Sequence, residues 1–196
     1  MPEGYEPFPS VVVCHPHPLY GGTMDDFVVM AVCEALLRES IAAFRFNFRG
    51  VGGSDGLHGK GVGEQEDVRA AVSFLSSRQE IDAKRIGLAG YSFGAGVALS
   101  VAPQEDRVQA VAAISPALPA ASSPLRSYVK SKFLVVGSAD TFIPGDRFLH
   151  LVGELAEPKE YQVISGADHF WLGYEREMAK SVASFFSRIL KEPAKE

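Results

Sequence analysis

The stretch RIGLAGYSFGAGVALS, residues Arg85–Ser100, passes from an apolar run through a glycine-flanked serine into a helical pattern. Arg85–Ala89 reads as a buried strand and Ala95–Leu99 as the opening of a helix. Between them stands Gly90-Tyr91-Ser92-Phe93-Gly94, a Gly-x-Ser-x-Gly pentapeptide. Glycine at both flanks permits the crowded strand-to-helix turn that lifts a serine hydroxyl clear of a sheet. Such a pentapeptide arises easily by chance; the strand before it and the helix after it give it weight.

The same alternation runs through the chain. Val11–Cys14, Ala42–Asn47, Val108–Ile114, Phe133–Val136 and Glu160–Ile164 also read as strands, and helices are expected near residues 25–38, 64–78, 93–102, 146–156 and 175–191. In the last of these Met178, Val182, Phe185, Phe186 and Ile189 share one face. Alternating strands and helices predict an α/β fold, a mostly parallel sheet with helices on both faces. The chain has 196 residues, enough for one sizeable core, so residues 1–196 are expected to form a single domain. Hydrophobic residues make up 46% and charged residues 22%, ordinary values for a globular protein.

A net charge of −5 with scattered Lys and Arg gives no field for a phosphate backbone, so no nucleic-acid partner is expected. The acidic start at Met1-Pro2-Glu3 is unlike a secretory signal, and no apolar run reaches a membrane span; the chain as given is expected to be cytoplasmic, without membrane contact. Cys14 and Cys33 have no companion at metal-ligand or CxxC spacing and read as reduced core thiols.

Acyl transfer at neutral pH needs a nucleophile, a base, a group to orient the base and donors for the developing oxyanion. Ser92 supplies the first. His169 follows the last expected strand in Ser165-Gly-Ala-Asp168-His169-Phe170 and is the candidate base. Asp140 follows Phe133–Val136 and is the candidate orienting acid; Asp168 is a rival, disfavoured because adjacent side chains diverge. The chain order Ser, Asp, His is that of the α/β-hydrolase arrangement. The backbone N–H of Phe93 is one expected oxyanion donor. In His15-Pro-His-Pro-Leu-Tyr-Gly-Gly22 the prolines lack N–H, leaving His17, Leu19 and Tyr20 for the second, with His17 the first choice. The substrate pocket is expected to involve Tyr20, Tyr91, Phe93, Phe142, Phe170 and Trp171.

Other signals carry less. His15-x-His17 lacks further ligands at companion spacing, so neither a metal nor any cofactor is expected. Gly59-Lys60-Gly61 departs from the phosphate-loop pattern because Gly61 stands where Ser or Thr is needed. Arg49 is read as tying loops together, and Glu64, Glu66 and Asp67 as first-turn helix charges without chemistry.

The segments Cys14–Asp26, Phe46–Ser54, Gly90–Gly94 and Gly166–Phe170 resemble the small α/β-hydrolases related to dienelactone hydrolase, including predicted hydrolases and carboxylesterases. The resemblance covers nearly the whole chain. It implies a triad on Ser92, Asp140 and His169, acting on carboxylic esters at the C-terminal edge of the sheet. Dienelactone hydrolases proper carry Cys at the elbow, where this chain has Ser92. The resembling fold usually begins with two further strands, which this chain lacks, and this places Ala42–Asn47 at a sheet edge. An open edge strand favours pairing, so homodimer formation is expected. The stretch Ser115–Lys132 is too short for a helical lid, which points to small or short-chain esters. A thioesterase or lactonase, a peptidase on the same scaffold, and a non-catalytic hydrolase-like binding protein stay open as alternatives.

Overall fold

The computed structural model describes residues 1–2, 6–116 and 124–191. Six strands form one sheet: β1 (Phe8–Cys14), β2 (Ala42–Arg45), β3 (Ile81–Tyr91), β4 (Val108–Ile114), β5 (Ser131–Gly137) and β6 (Lys159–Ile164). Their spatial order is β2-β1-β3-β4-β5-β6, and every neighbouring pair is parallel. The helices are α1 (Phe27–Arg38), α2 (Gly63–Ser76), α3 (Phe93–Val101), α4 (Gly145–Glu154) and α5 (Glu175–Lys191).

A parallel sheet needs cover on both faces, because the crossover helices must lie there. On one face Val12, Leu88, Val111 and Leu134 meet Val68 and Val72 of α2, Leu99 of α3 and Phe148 of α4. On the other, Val11, Val13, Ala112 and Val135 meet Val32 and Leu36 of α1 and Val182, Phe185 and Phe186 of α5. Gly87 makes the second contact close: a Cβ there would stand 2.5 Å from the Phe186 ring. The α/β architecture and the edge position of β2 are as the alternation and the resemblance led us to expect. Cys14 and Cys33 are buried free thiols, and desolvation pushes the Cys33 thiol up to about 11.

Two local differences have identifiable causes. β2 stops at Arg45 instead of Asn47, because the next backbone groups bond elsewhere. The Phe48 N–H donates to His15 Nε2 at 3.0 Å, and the Asn47 carbonyl accepts the Ser54 hydroxyl at 2.8 Å. β3 begins four residues before Arg85, with Phe8 of β1 opposite Ile81 and a register shift before Ser10. The connection between β4 and β5, expected over Ser115–Lys132, ends at Lys130 and includes residues 117–123, which lie outside the described residues. Among the described residues no lid is evident, and no helix is long and apolar enough to cross a membrane.

The strand order fixes where a site can form. After β2 the chain returns to the opposite side of β1, so the connections from β1 and β3 diverge at their C-terminal ends and leave a crevice. His15–Gly22 and Ser92 flank that crevice.

Candidate active site

Ser92 sits between β3 and α3 with φ 54° and ψ −114°, a conformation that costs a residue with a Cβ about 1–3 kcal/mol and persists only where packing enforces it. The flanking glycines provide the packing. A Cβ on Gly90 would lie 2.3 Å from the Gly94 carbonyl oxygen, and one on Gly94 would lie 2.4 Å from the His15 carbonyl oxygen. The first turn of α3 is thereby pressed against the end of β1, which brings the His17 loop beside the elbow. The Ser92 N–H is fixed separately, donating to the Ile114 carbonyl of β4 at 2.9 Å.

The loop carrying His169 is drawn in by another glycine. A Cβ on Gly137, at the end of β5, would lie 2.1 Å from the Ala167 carbonyl oxygen. That contact, with the 2.9 Å bonds from Ser138 N–H to the Ile164 carbonyl and from Ala139 N–H to the Ala167 carbonyl, ties the Asp140 turn to the His169 turn. The Tyr91 hydroxyl donates to the His169 carbonyl at 2.8 Å.

These constraints bring the three side chains into line. Ser92 Oγ lies 3.1 Å from His169 Nε2, and His169 Nδ1 lies 2.8 Å from Asp140 Oδ2. Asp140 Oδ1 accepts the N–H groups of Phe142 and Ile143, each at 2.9 Å. Burial alone would raise the Asp140 carboxyl, but hydrogen bonds from His169, the Ser115 hydroxyl and Ile143 hold it below the usual carboxylate range. The rival Asp168 faces elsewhere: its Oδ1 accepts the N–H groups of Phe170 and Trp171 at 3.0 and 3.1 Å.

Phe93 opens α3, where the first N–H groups of a helix have no intrahelical acceptor. The His17 ring stands 4.8 Å from the Phe93 ring and 4.8 Å from the Tyr20 ring, so both expected oxyanion donors belong to segments in contact. Phe142 and Phe170 are 64% and 56% exposed, with ring centroids 4.7 and 5.8 Å from His169, and Tyr20 is 88% exposed. Tyr91 and Trp171 require correction as pocket residues. They are 5% and 0% exposed, because Tyr91 braces the His169 loop and the Trp171 indole fills the core beneath it.

His15 has no nitrogen left for a metal, since Nδ1 bonds the Pro16 carbonyl at 2.7 Å and Nε2 accepts from Phe48. Among the described residues no cluster of three or more His, Cys, Asp or Glu is arranged to hold a metal ion. Arg49 grips Asp67 through Nη2 at 2.7 Å and Nε at 3.1 Å, while Asp67 also accepts the Arg49 N–H at 3.0 Å. Arg49 does join two segments, and Asp67 is its partner as well as a residue of the first turns of α2.

Glu64 lies in the first turn of α2, as expected, but it is more than a helix-start charge, being 0% exposed. Its carboxylate accepts the N–H groups of Gly59 and Gly61 at 2.7 and 2.8 Å, and Oε1 lies 2.9 Å from His58 Nδ1 without hydrogen-bond alignment. Burial opposes its charge, but the backbone donors outweigh that and keep the carboxyl below its ordinary range. The amides that made this glycine loop look like an anion cradle are taken by the protein's own carboxylate. His58 packs on Phe93 at 5.5 Å, so Glu64 supports the wall beside the elbow. Glu64→Ala is expected to strand two N–H groups, lower stability by about 2 kcal/mol and lower Tm by roughly 4–8 °C in a thermal melt. An unchanged Tm would show that this wall stands without it.

Residues 55–190 match the family model for the dienelactone hydrolase family. The chain belongs to the dienelactone hydrolase family. This family member is 32% identical over 190 residues to an uncharacterized protein of Rickettsia prowazekii, covering 92% of the chain and 79% of that protein. Among solved structures it is similar to an alpha-beta serine hydrolase homologue from Coxiella burnetii, with 34% identity, a TM-score of 0.83 and coverage of 93% and 87% of the two chains. It is also similar to an α/β serine hydrolase without a lid from Xanthomonas campestris, at 28% identity, a TM-score of 0.81 and coverage of 100% and 88%. Family and fold together make the dienelactone hydrolase family member a hydrolase.

Proposed function

We propose that the protein is a serine hydrolase of small or short-chain carboxylic esters, with Ser92 as nucleophile, His169 as general base and Asp140 as the group that orients His169. The observation that carries this reading is the continuous chain Ser92 Oγ, His169, Asp140 at 3.1 and 2.8 Å, on a strand-to-helix elbow of a dienelactone hydrolase family member. As the Ser92 oxygen attacks the ester carbonyl, His169 Nε2 takes its proton, and the developing imidazolium is held by the anionic Asp140. The tetrahedral oxyanion is received by the Phe93 N–H and a donor of the His17 loop, an arrangement in which one donor is worth about 10²–10³ in rate. His169 then protonates the leaving alcohol, and water repeats the cycle on the acyl-enzyme.

The exposed rings of Phe142 and Phe170 beside His169, and of Tyr20 beside His17, offer apolar surface near the triad, which supports short acyl or aryl groups over highly charged ones. The decisive experiment is incubation with a fluorophosphonate followed by peptide mapping, beside hydrolysis of p-nitrophenyl esters of two to twelve carbons with thioester, lactone and peptide controls. Modification at Ser92 and highest kcat/KM on the shortest esters are expected. An unlabelled protein would overturn the serine-hydrolase reading, and faster thioester or lactone turnover would overturn the ester assignment.

A further inference from the structure

β6 ends the sheet on one side, and the side chains of Tyr161 and Val163 are exposed along it. The Ile164 carbonyl accepts the Ser138 N–H at 2.9 Å, so Ile164 turns its backbone polar groups toward β5. Alternation along the strand turns those of Tyr161 and Val163 the other way, to the open edge. Lys159 shares that orientation, but its N–H is taken by the Glu157 carboxylate at 2.9 Å. An edge of this kind usually meets a partner, a charge or a cover. The opposite edge is a poorer template. β2 has four residues, and Arg45 at its end, bonded to the Met24 carbonyl at 2.9 Å and to Asp25, is a charge of the sort that blunts an edge.

Helix α4 lies over the same side of the sheet. Its Phe148 ring stands 6.3 Å from the Tyr161 ring and, with Leu151, Val152 and Leu155, belongs to the core. One flank of α4 is turned inward, because Glu154 pairs with Arg126 of the short helix Pro124–Ser127, which packs on α3. At about 100° per residue the other flank carries Gly145, Leu149 and Gly153. Leu149 is exposed, and a Cβ on either glycine would meet nothing within 4 Å.

We propose that the β6 edge and this flank of α4 bind a second copy of the chain, with β6 antiparallel to its copy about a two-fold axis at Gln162. A two-fold contact must be complementary to itself, and this one is. With Tyr161 opposite the partner's Val163, and Val163 opposite the partner's Tyr161, every open N–H and C=O of these residues is joined across the axis. The same register sets an aromatic ring against a β-branched side chain twice on the α4 side, a favoured cross-strand pairing. Leu149, next to the Phe148 that lies by Tyr161, then meets the partner's Leu149, and the flanking glycines let the two helices approach to about 8 Å. Charge does not oppose the contact, since Glu160 is engaged by Arg188 at 2.5 Å and Lys159 Nζ by the Leu155 carbonyl at 2.6 Å. A strip about 20 Å long, taking in the strand edge and the helix about 10 Å above it, hides on the order of 600–800 Å² per partner, the lower end of standard interfaces. The inference does not depend on the serine-hydrolase reading.

Sedimentation velocity from about 1 to 100 µM is expected to show monomer converting to dimer. Leu149→Arg, which sets two guanidinium groups face to face at the axis, is expected to weaken association roughly 100-fold with Tm within a few degrees of wild type. Gln162→Cys tests the register separately. A non-hydrogen-bonded antiparallel pair stands about 4.5 Å apart between Cα atoms, within disulfide reach. Mild oxidation is expected to link most of the Gln162→Cys protein into dimers on a non-reducing gel, and to leave the wild type, whose Cys14 and Cys33 are buried, unlinked. A monomer at every concentration would overturn the proposal. So would a dimer that Leu149→Arg leaves intact or that Gln162→Cys fails to link, which would move the contact to another surface, the β2 edge first.

Discussion

Ser92→Ala is expected to abolish hydrolysis of p-nitrophenyl acetate for practical purposes, lowering kcat by about five orders of magnitude, with Tm within about 2 °C of wild type. The size follows from what the hydroxyl does: without it the covalent route is closed, and only the oxyanion donors and substrate binding remain to assist water. The small stability effect follows from the backbone. Alanine keeps a Cβ at φ 54°, so the elbow is neither relieved nor further strained, and the Ser92 N–H can still donate to the Ile114 carbonyl. Steady-state kinetics with an active-site titration checks the rate, and a thermal melt checks the fold. Residual activity within tenfold of wild type would mean that another group carries the reaction.

Asp140→Asn is expected to lower kcat by about 10⁴, for a reason specific to the surroundings of this carboxylate. Oδ1 receives the N–H groups of Phe142 and Ile143, so an asparagine must place its carbonyl oxygen there. Its NH₂ then faces His169 Nδ1, which must accept, and the proton is forced onto Nε2. That nitrogen would meet Ser92 as a donor and could no longer take the hydroxyl proton. Asp168→Asn is the matched comparison, because the amide oxygen of an asparagine can still accept from Phe170 and Trp171. It is expected to cost less than about threefold. Equal losses at the two positions, read from kcat at pH 7.5, would remove Asp140 from its assigned role.

The parts of this protein that repeat a physical period could be read from the chain. Strands such as Val108–Ile114 are continuous apolar runs because helices bury both faces of the sheet, and α5 carries its apolar face at helical spacing. The elbow was legible because two glycines and a serine must coincide with a strand-to-helix change. What could not be read were contacts between residues far apart. Ser115 lies 56 residues before Trp171, whose indole N–H it accepts, and no local sequence pattern distinguishes it from the serines that follow it. Glu64 has the sequence setting of any first-turn carboxylate; its burial depends on the Gly59 and Gly61 amides folding back over it. Tyr91 and Trp171 were drawn toward the pocket by adjacency to Ser92 and His169, whereas alternation along β3 and the tight turn after Ala167 send their rings inward.

The left-handed backbone at Ser92 also bears on how this protein would respond to selection. The position invites glycine, and a glycine there would remove strain together with the side chain proposed as the nucleophile. A search guided only by survival at high temperature would find Ser92 among the more rewarding sites to change. The survivors would be hardy and silent, so any stabilisation effort on this scaffold must screen for turnover at every round.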